Sequence, residues 1–319
     1  MRILYAASKW SSSKLQLLRF LENLDFTKHT VKIAAYKNYC PNIHIDFLLD
    51  PLQSLNRATS NINIDNNNYN LSIYVDFIKN FNPDLVISDL EFTSSYLALE
   101  LNKKLWNVSS MLMHFGIGLK DKRDLVFMNK FLHVVKNTFN NTSYQNYHHI
   151  LAYATKNYLY SHFGEYNSLK LNDGFEWVRP YYKIMPPKKT DTFCVSYLNN
   201  RNIIKKIKNK AVVFSEFSDE AFPNVELKNM YHQNEYYADL AGCDYLMCTA
   251  NTLFLADAYY NNKFANIIPV YDNIECLYNM LMAEKMGTGK IIYNNDALVP
   301  ASEIRTHINP DIKSLGDLL

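Results

Sequence analysis

Short apolar runs alternate with amphipathic stretches along most of this chain. Arg2–Ala7 is the first run. Ser11–Ser13 can cap a following stretch in which Leu15, Leu17, Leu18 and Leu21 recur at helical spacing. Val31–Tyr36 predicts the next strand, and Asn61–Asn70 a polar loop. A helix over Tyr74–Asn80 leads to a central strand at Leu85–Ile87. A helix over Ser94–Lys103 and a strand over Trp106–Met113 follow, and then an aromatic, helical middle from Arg123 to Tyr166. Tyr181–Asp191, with two prolines and flanking lysines, reads as a linker. Beyond it the alternation resumes: strand Phe193–Tyr197, helix Ile203–Lys208, strand Ala211–Phe214, helix Glu235–Ala241. This alternation predicts an α/β fold of parallel sheets. We expect two domains, residues 1–182 and 192–319, joined by 183–191, with a ligand cleft between them.

The stretch from Cys243 to Gly289 is the most specific. Tyr245–Cys248 predicts a buried strand, Thr249–Thr252 a small polar turn, and Leu253 onward a helix carrying Asp257. A second strand, Ala265–Val270, precedes a helix that carries Glu275 and Asn279 and stops at Gly287. Polar side chains therefore gather at the carboxyl ends of strands, where open α/β sheets bind ligands. Thr249, Ala250, Asn251 and Thr252 offer helix-start N–H groups to a diphosphate, and Thr252 can also cap. Asp257 lies one to two turns in, at a place to bond both ribose hydroxyls; an exposed helix acid is the competing reading. Asn199, Asn200 and Arg201 follow the first strand of the second domain. They are candidates for the phosphates and the leaving-group charge, against an ordinary polar loop.

Composition narrows the class. At 319 residues and 48% hydrophobic, the chain can bury a sizeable core. The net charge of +2 permits an anionic partner without requiring one. No apolar stretch reaches the roughly 18 residues of a membrane span, and the first residues do not resemble a signal peptide. A soluble, cytoplasmic protein is expected. The 5 cysteines are odd in number and lack C-x-x-C pairing, which argues against a disulfide framework and a zinc site. His133, His148, His149 and His162 have no metal-like spacing, so no metal is expected. Glycine is scarce, at 8 residues, while Asn, Lys, Ile and Tyr abound. That bias suits an AT-rich genome, such as many phages and some bacteria carry.

The tract resembles the donor half of the GT-B glycosyltransferases, nucleotide-sugar enzymes built from two facing Rossmann-like domains, and of their family 28 and family 1-like members in particular. Asp257-Ala258 is similar to their Glu-Ala pair, Ile267-Ile268-Pro269 to their x-Ile-Pro, and Glu275 to the acidic member of their acidic-Gln pair. Asn279 and Gly287-Thr288-Gly289 are similar to the Asn and the Gly-x-Gly ending. In the N-terminal half, Pro83–Glu91 resembles a P-D-x-V-I-S-D-x-E strand, and His114 falls where a His often follows. Three departures stand out. Ala250-Asn251 replace a Gly-Gly pair. Cys276 replaces the Gln that helps bond donor-sugar hydroxyls. Trp10-Ser11-Ser12-Ser13 replace a Gly-His loop on the acceptor side.

The resemblance implies an inverting, metal-independent transferase that needs no cofactor and uses a nucleotide-diphosphate sugar, with uridine the expected nucleoside. Glu275, Cys276 and Asn279 would face the sugar, and Trp10–Ser13 the acceptor. Inversion needs one base for the acceptor hydroxyl. Glu91 leads, then His114, with Asp89 the more structural; a helix cap is the competing reading of a strand-end carboxylate. If they face one cleft, Lys120, Lys122, Arg123, Lys188, Lys189, Lys205, Lys206, Lys208 and Lys210 would favour a phosphate-rich acceptor, against solvated lysines on helices, and Trp10, Tyr181 and Tyr182 could stack an extruded base. A hydroxymethylated base in DNA, as in phage-type modification, is the expected acceptor. A lipid or cell-envelope glycan is one alternative; a non-catalytic sugar-nucleotide binder is another.

Overall fold

The apolar runs become strands because each is buried along nearly its whole length, as parallel sheets require. The protein is described by a computed structural model covering residues 1–8, 11–36, 43–49, 68–119, 141–161, 169–186, 194–198, 200–208, 210–216, 220–270, 274–293 and 312–319. It forms two compact units, Met1–Arg179 with Lys313–Leu319, and Pro180–Ile312.

In the first unit, β1 (Arg2–Ala6), β2 (Thr30–Tyr36), β3 (Phe47–Leu49), β4 (Leu85–Ser88) and β5 (Lys104–Val108) are joined by β7 (Lys156–Tyr160) and β9 (Phe175–Val178). They pair in parallel in the order β3-β2-β1-β4-β5-β7-β9. β6 (Ile117–Leu119) and β8 (Leu169–Leu171) form a separate antiparallel pair. Ile3, Leu4, Tyr5, Val86 and Ile87 are fully buried at the centre of the sheet. The helices are α1 (Ser11–Glu22), α2 (Asn68–Phe81), α3 (Phe92–Glu100), α4 (Met113–Gly116) and α5 (Asn141–Tyr153).

The second unit repeats the plan. β10 (Cys194–Tyr197), β11 (Ala211–Ser215), β12 (Val225–Asn229), β13 (Tyr245–Thr249), β14 (Ala265–Ile268) and β15 (Gly289–Ile291) lie parallel in the order β12-β11-β10-β13-β14-β15. Between them run α6 (Arg201–Ile204), α7 (Gln233–Gly242), α8 (Thr252–Tyr260) and α9 (Ile274–Lys285).

Several elements depart from the sequence reading. The helix expected over Ser94–Lys103 starts and ends earlier, because Glu91 caps it and Asn102 turns left-handed, φ 52°. The strand expected over Trp106–Met113 ends at Val108, and a 3-10 turn and α4 take up the rest. Within Arg123–Tyr166, α5 is present, but Lys156–Tyr160 is a strand. The helix expected over Ile203–Lys208 is the single turn Arg201–Ile204. Gly287, at φ 67°, closes α9 as expected. A Cβ on Gly289 would sit 3.0 Å from the Ala265 carbonyl oxygen, so this Gly-x-Gly ending is satisfied by packing.

Candidate functional site

In each sheet the strand order reverses once, between β1 and β4 and between β10 and β13. The crevice outside the carboxyl ends at such a point is where open α/β sheets place ligands. Glu91, at the start of α3, and Asn251 and Thr252, at the start of α8, follow the carboxyl ends of β4 and β13.

In the second unit the chain leaves β13 at Thr249 and enters α8 within two residues. Asn251 is the N-cap, its Oδ1 accepting the Leu253 N–H at 3.0 Å. Thr252 is the first helical residue rather than the cap. Its N–H donates to Glu275 Oε1 at 2.7 Å, and its hydroxyl Oγ1 accepts from Asn279 Nδ2 at 2.9 Å. Asn279 Nδ2 also donates to the Ala250 carbonyl at 2.9 Å. Ala250, Thr252, Glu275 and Asn279 are all buried. Asn279 Oδ1 has no hydrogen-bond partner, an uncommon state for a buried polar atom. Neither Ala250 nor Asn251 has a positive φ, so the turn does not require the glycines that the resemblance led us to expect. Cys276, next to Glu275 on α9, is buried. Burial pushes the Cys243 thiol up to about 12, as suits a packing residue.

Two of the donor-side residues have protein partners. Asp257 does not face solvent at the strand ends. It is fully buried, and its Oδ1 accepts from the Tyr237 hydroxyl on α7 at 3.0 Å. Five residues past Thr252, the helix has turned it inward, so it joins α8 to α7. Arg201 opens α6, but its Nε pairs with Glu220 at the surface. Asn200 caps that turn, accepting from the Asn202 and Ile203 N–H groups. Asn199 lies outside the described residues.

In the first unit Glu91 is the N-cap of α3. It accepts the Thr93 N–H at 3.2 Å and the Ser94 N–H at 2.6 Å, and the Tyr36 hydroxyl at 3.3 Å. Burial raises its carboxyl above the ordinary carboxylate range in spite of these donors. Burial also raises the phenols of Tyr36, Tyr74 and Tyr147, with the nearby Glu91 charge adding to each. These three tyrosines were not legible as neighbours, because they come from a strand and two helices far apart in sequence. Leu90 holds a left-handed conformation, φ 50°, in the strand-to-helix turn, and its carbonyl accepts from Tyr147. Such strain in a non-glycine residue persists only where the surroundings enforce it. Asp89 is buried beside it. His114 lies in α4, its side chain outside the described part. Ser11, Ser12 and Ser13 open α1, with side chains likewise outside it, and Trp10 is not among the described residues.

Of the aromatic residues expected to stack a base, two are described. Tyr182 stacks on Tyr260 with ring centroids 3.6 Å apart, and Tyr181 is buried. Lys205, Lys206, Lys208 and Lys210 are exposed, but they follow α6 toward the start of β11, away from the carboxyl ends. Lys120, Lys122, Arg123, Lys188 and Lys189 lie outside the described residues. Among the described residues no cluster of metal-ligating side chains occurs. No described helix is long and apolar enough to cross a membrane.

Comparison with solved structures gives this arrangement a place. The chain is similar to the spinosyn forosaminyltransferase SpnP, with TM-score 0.58 and 13% identity over 93% of this chain and 87% of that one. It is similar to the glycosyltransferase SsfS6 of Streptomyces sp. SF2575, solved with thymidine diphosphate, with TM-score 0.55 and 13% identity over 91% and 87%. The fold is GT-B. The glycosyltransferase VinC, solved with DTDP, shares it with TM-score 0.52 and 11% identity over 91% and 86% of the two chains. No family model matches the chain, and no curated protein matches it in sequence. At these identities the likeness is one of GT-B architecture.

Proposed function

We propose that this protein is a glycosyltransferase that moves a sugar from a nucleoside-diphosphate sugar to an acceptor hydroxyl. The observation that carries the reading is the convergence of Thr252, Glu275 and Asn279 at the carboxyl end of β13, within a fold shared with glycosyltransferases solved with a nucleoside diphosphate. The second unit is then the donor half. The α8 N-terminus faces the diphosphate, and the carboxylate and amide of α9 face the sugar. The first unit is the acceptor half. There Glu91 or His114 takes the proton of the acceptor hydroxyl, whose oxygen bonds the anomeric carbon as the diphosphate leaves with inversion. Helix-start N–H groups meet the charge that develops on the leaving group.

For the acceptor we retain a hydroxymethylated base in DNA. Its support is the Asn-, Lys-, Ile- and Tyr-rich composition, which suits an AT-rich genome; the exposed lysines beyond α6 lie away from the carboxyl ends, and Tyr182 stacks on Tyr260. The test is mass spectrometry after incubation with uridine- and thymidine-diphosphate sugars and hydroxymethylated duplex DNA. We expect one hexose or pentose mass added to the base, with free nucleoside diphosphate released. Diphosphate release without a mass gain on DNA would redirect the acceptor to another hydroxyl. Neither binding nor turnover of any nucleotide sugar would refute the function.

A further inference from the structure

The start of α8 already holds a carboxyl group from another helix. Glu275 comes from α9, yet its carboxylate accepts the Thr252 N–H at 2.7 Å, with both residues 2% exposed. The helix does not need this contact for capping, because Asn251 supplies a local cap through the Leu253 N–H. Glu91 in the first unit differs here: it is the cap of its own helix. A diphosphate arriving at α8 requires the same helix-start donors that Glu275 occupies. One N–H cannot serve both at full strength, and two anions this close repel in a buried site.

A second observation points to a ligand at this turn. Asn279 is 0% exposed, and its amide is fixed against residues 250–252 by two donated hydrogen bonds, while its Oδ1 has no partner. A buried acceptor in that state is open to one more donor, such as a ligand hydroxyl or a water. A nucleotide sugar carries both an anion for the N–H groups and hydroxyls for the amide.

We propose that Glu275 is an internal competitor for the donor diphosphate, holding the Thr252 N–H until the donor displaces it and reclaiming it to expel the nucleoside diphosphate product. The proposal rests on the reading of the second unit as the donor half. Glu275→Gln keeps the size and the acceptor oxygen but removes the charge. Titration calorimetry on the full chain compares uridine and thymidine diphosphate with the two nucleosides. We expect the diphosphates to bind the variant at least about tenfold more tightly than the wild type, with the nucleosides unchanged. Measurable but equal diphosphate binding by both proteins would make Glu275 a structural tie between α9 and α8 and overturn the proposal, leaving the donor half intact. Absence of diphosphate and nucleoside binding by both would overturn the donor reading and the proposal with it. If the variant does not fold, the wild type decides. Its diphosphates should bind less than about tenfold more tightly than its nucleosides, and a gain above about a hundredfold contradicts an opposing carboxylate.

Discussion

Glu91 accepts two backbone N–H groups and the Tyr36 hydroxyl, yet burial still holds its carboxyl above the ordinary range. The folded protein therefore grips this proton more tightly than the unfolded chain does. The linked stability is fully present below the unfolded carboxylate pKa of about 4.3 and is lost as pH rises through the folded value. Glu91→Gln removes the titration, so the melting temperature of the wild type should fall relative to the variant as pH is raised from about 4 to about 8. Parallel melting profiles over that range would contradict a raised Glu91. The same residue shows where reading a site from sequence stops. Its place after β4 was legible from the P-D-L-V-I-S-D-L-E run. Its burial among tyrosines from β2, α2 and α5 was not, because no local spacing encodes it. Asp257 is a related case. Spacing placed it on α8, but only the packing of α7 decides which way that face of the helix points.

Glycine scarcity has a structural answer at the level of helices and turns. Asn82, Asn102, Asn224 and Asn262 all have positive φ, the conformation in which Gly and Asn are the residues tolerated best. At the end of α3, the Lys103 N–H reaches back to the Ala98 carbonyl and the Asn102 N–H to Leu99. At the end of α8, Lys263 reaches Ala258 and Asn262 reaches Tyr259 in the same way. Both helices therefore close in a Schellman motif built on Asn, while α9 closes its own on Gly287. Asn102→Ala and Asn262→Ala should each destabilise by about 1–2 kcal/mol, and the Gly replacements should stay near wild type. Denaturant melts check this, and Ala variants as stable as the Gly variants would oppose it. Central strands were legible here because burial on both faces makes them continuous apolar runs. β12 was not, because an edge strand keeps polar residues at Glu226 and Lys228. β7 was hidden because K-N-Y-L-Y, in an aromatic segment, fits both periods.

The two units are alike beyond their sheets. α3 and α8 each have nine residues and follow the strand just past the reversal in order, β4 and β13. Each begins against a buried glutamate, Glu91 and Glu275. The repetition of strand and helix made this α/β plan readable from sequence. The chain passes from the first unit to the second after Arg179 and is back in the first by Lys313. Arg179 donates its N–H to the Lys313 carbonyl and is bridged in parallel to Ser314, so departure and return lie side by side. Residues 180–312 are therefore a contiguous insertion with adjacent ends, the geometry that tolerates excision. Expressed alone, this fragment should fold and bind nucleoside diphosphate within about threefold of the intact protein. A fragment that stays unfolded by circular dichroism would count against its autonomy. The wider consequence concerns inheritance: a single gene segment whose two boundaries meet in the folded chain can be replaced whole, so one unit can be exchanged as a cassette while the other keeps its own sequence.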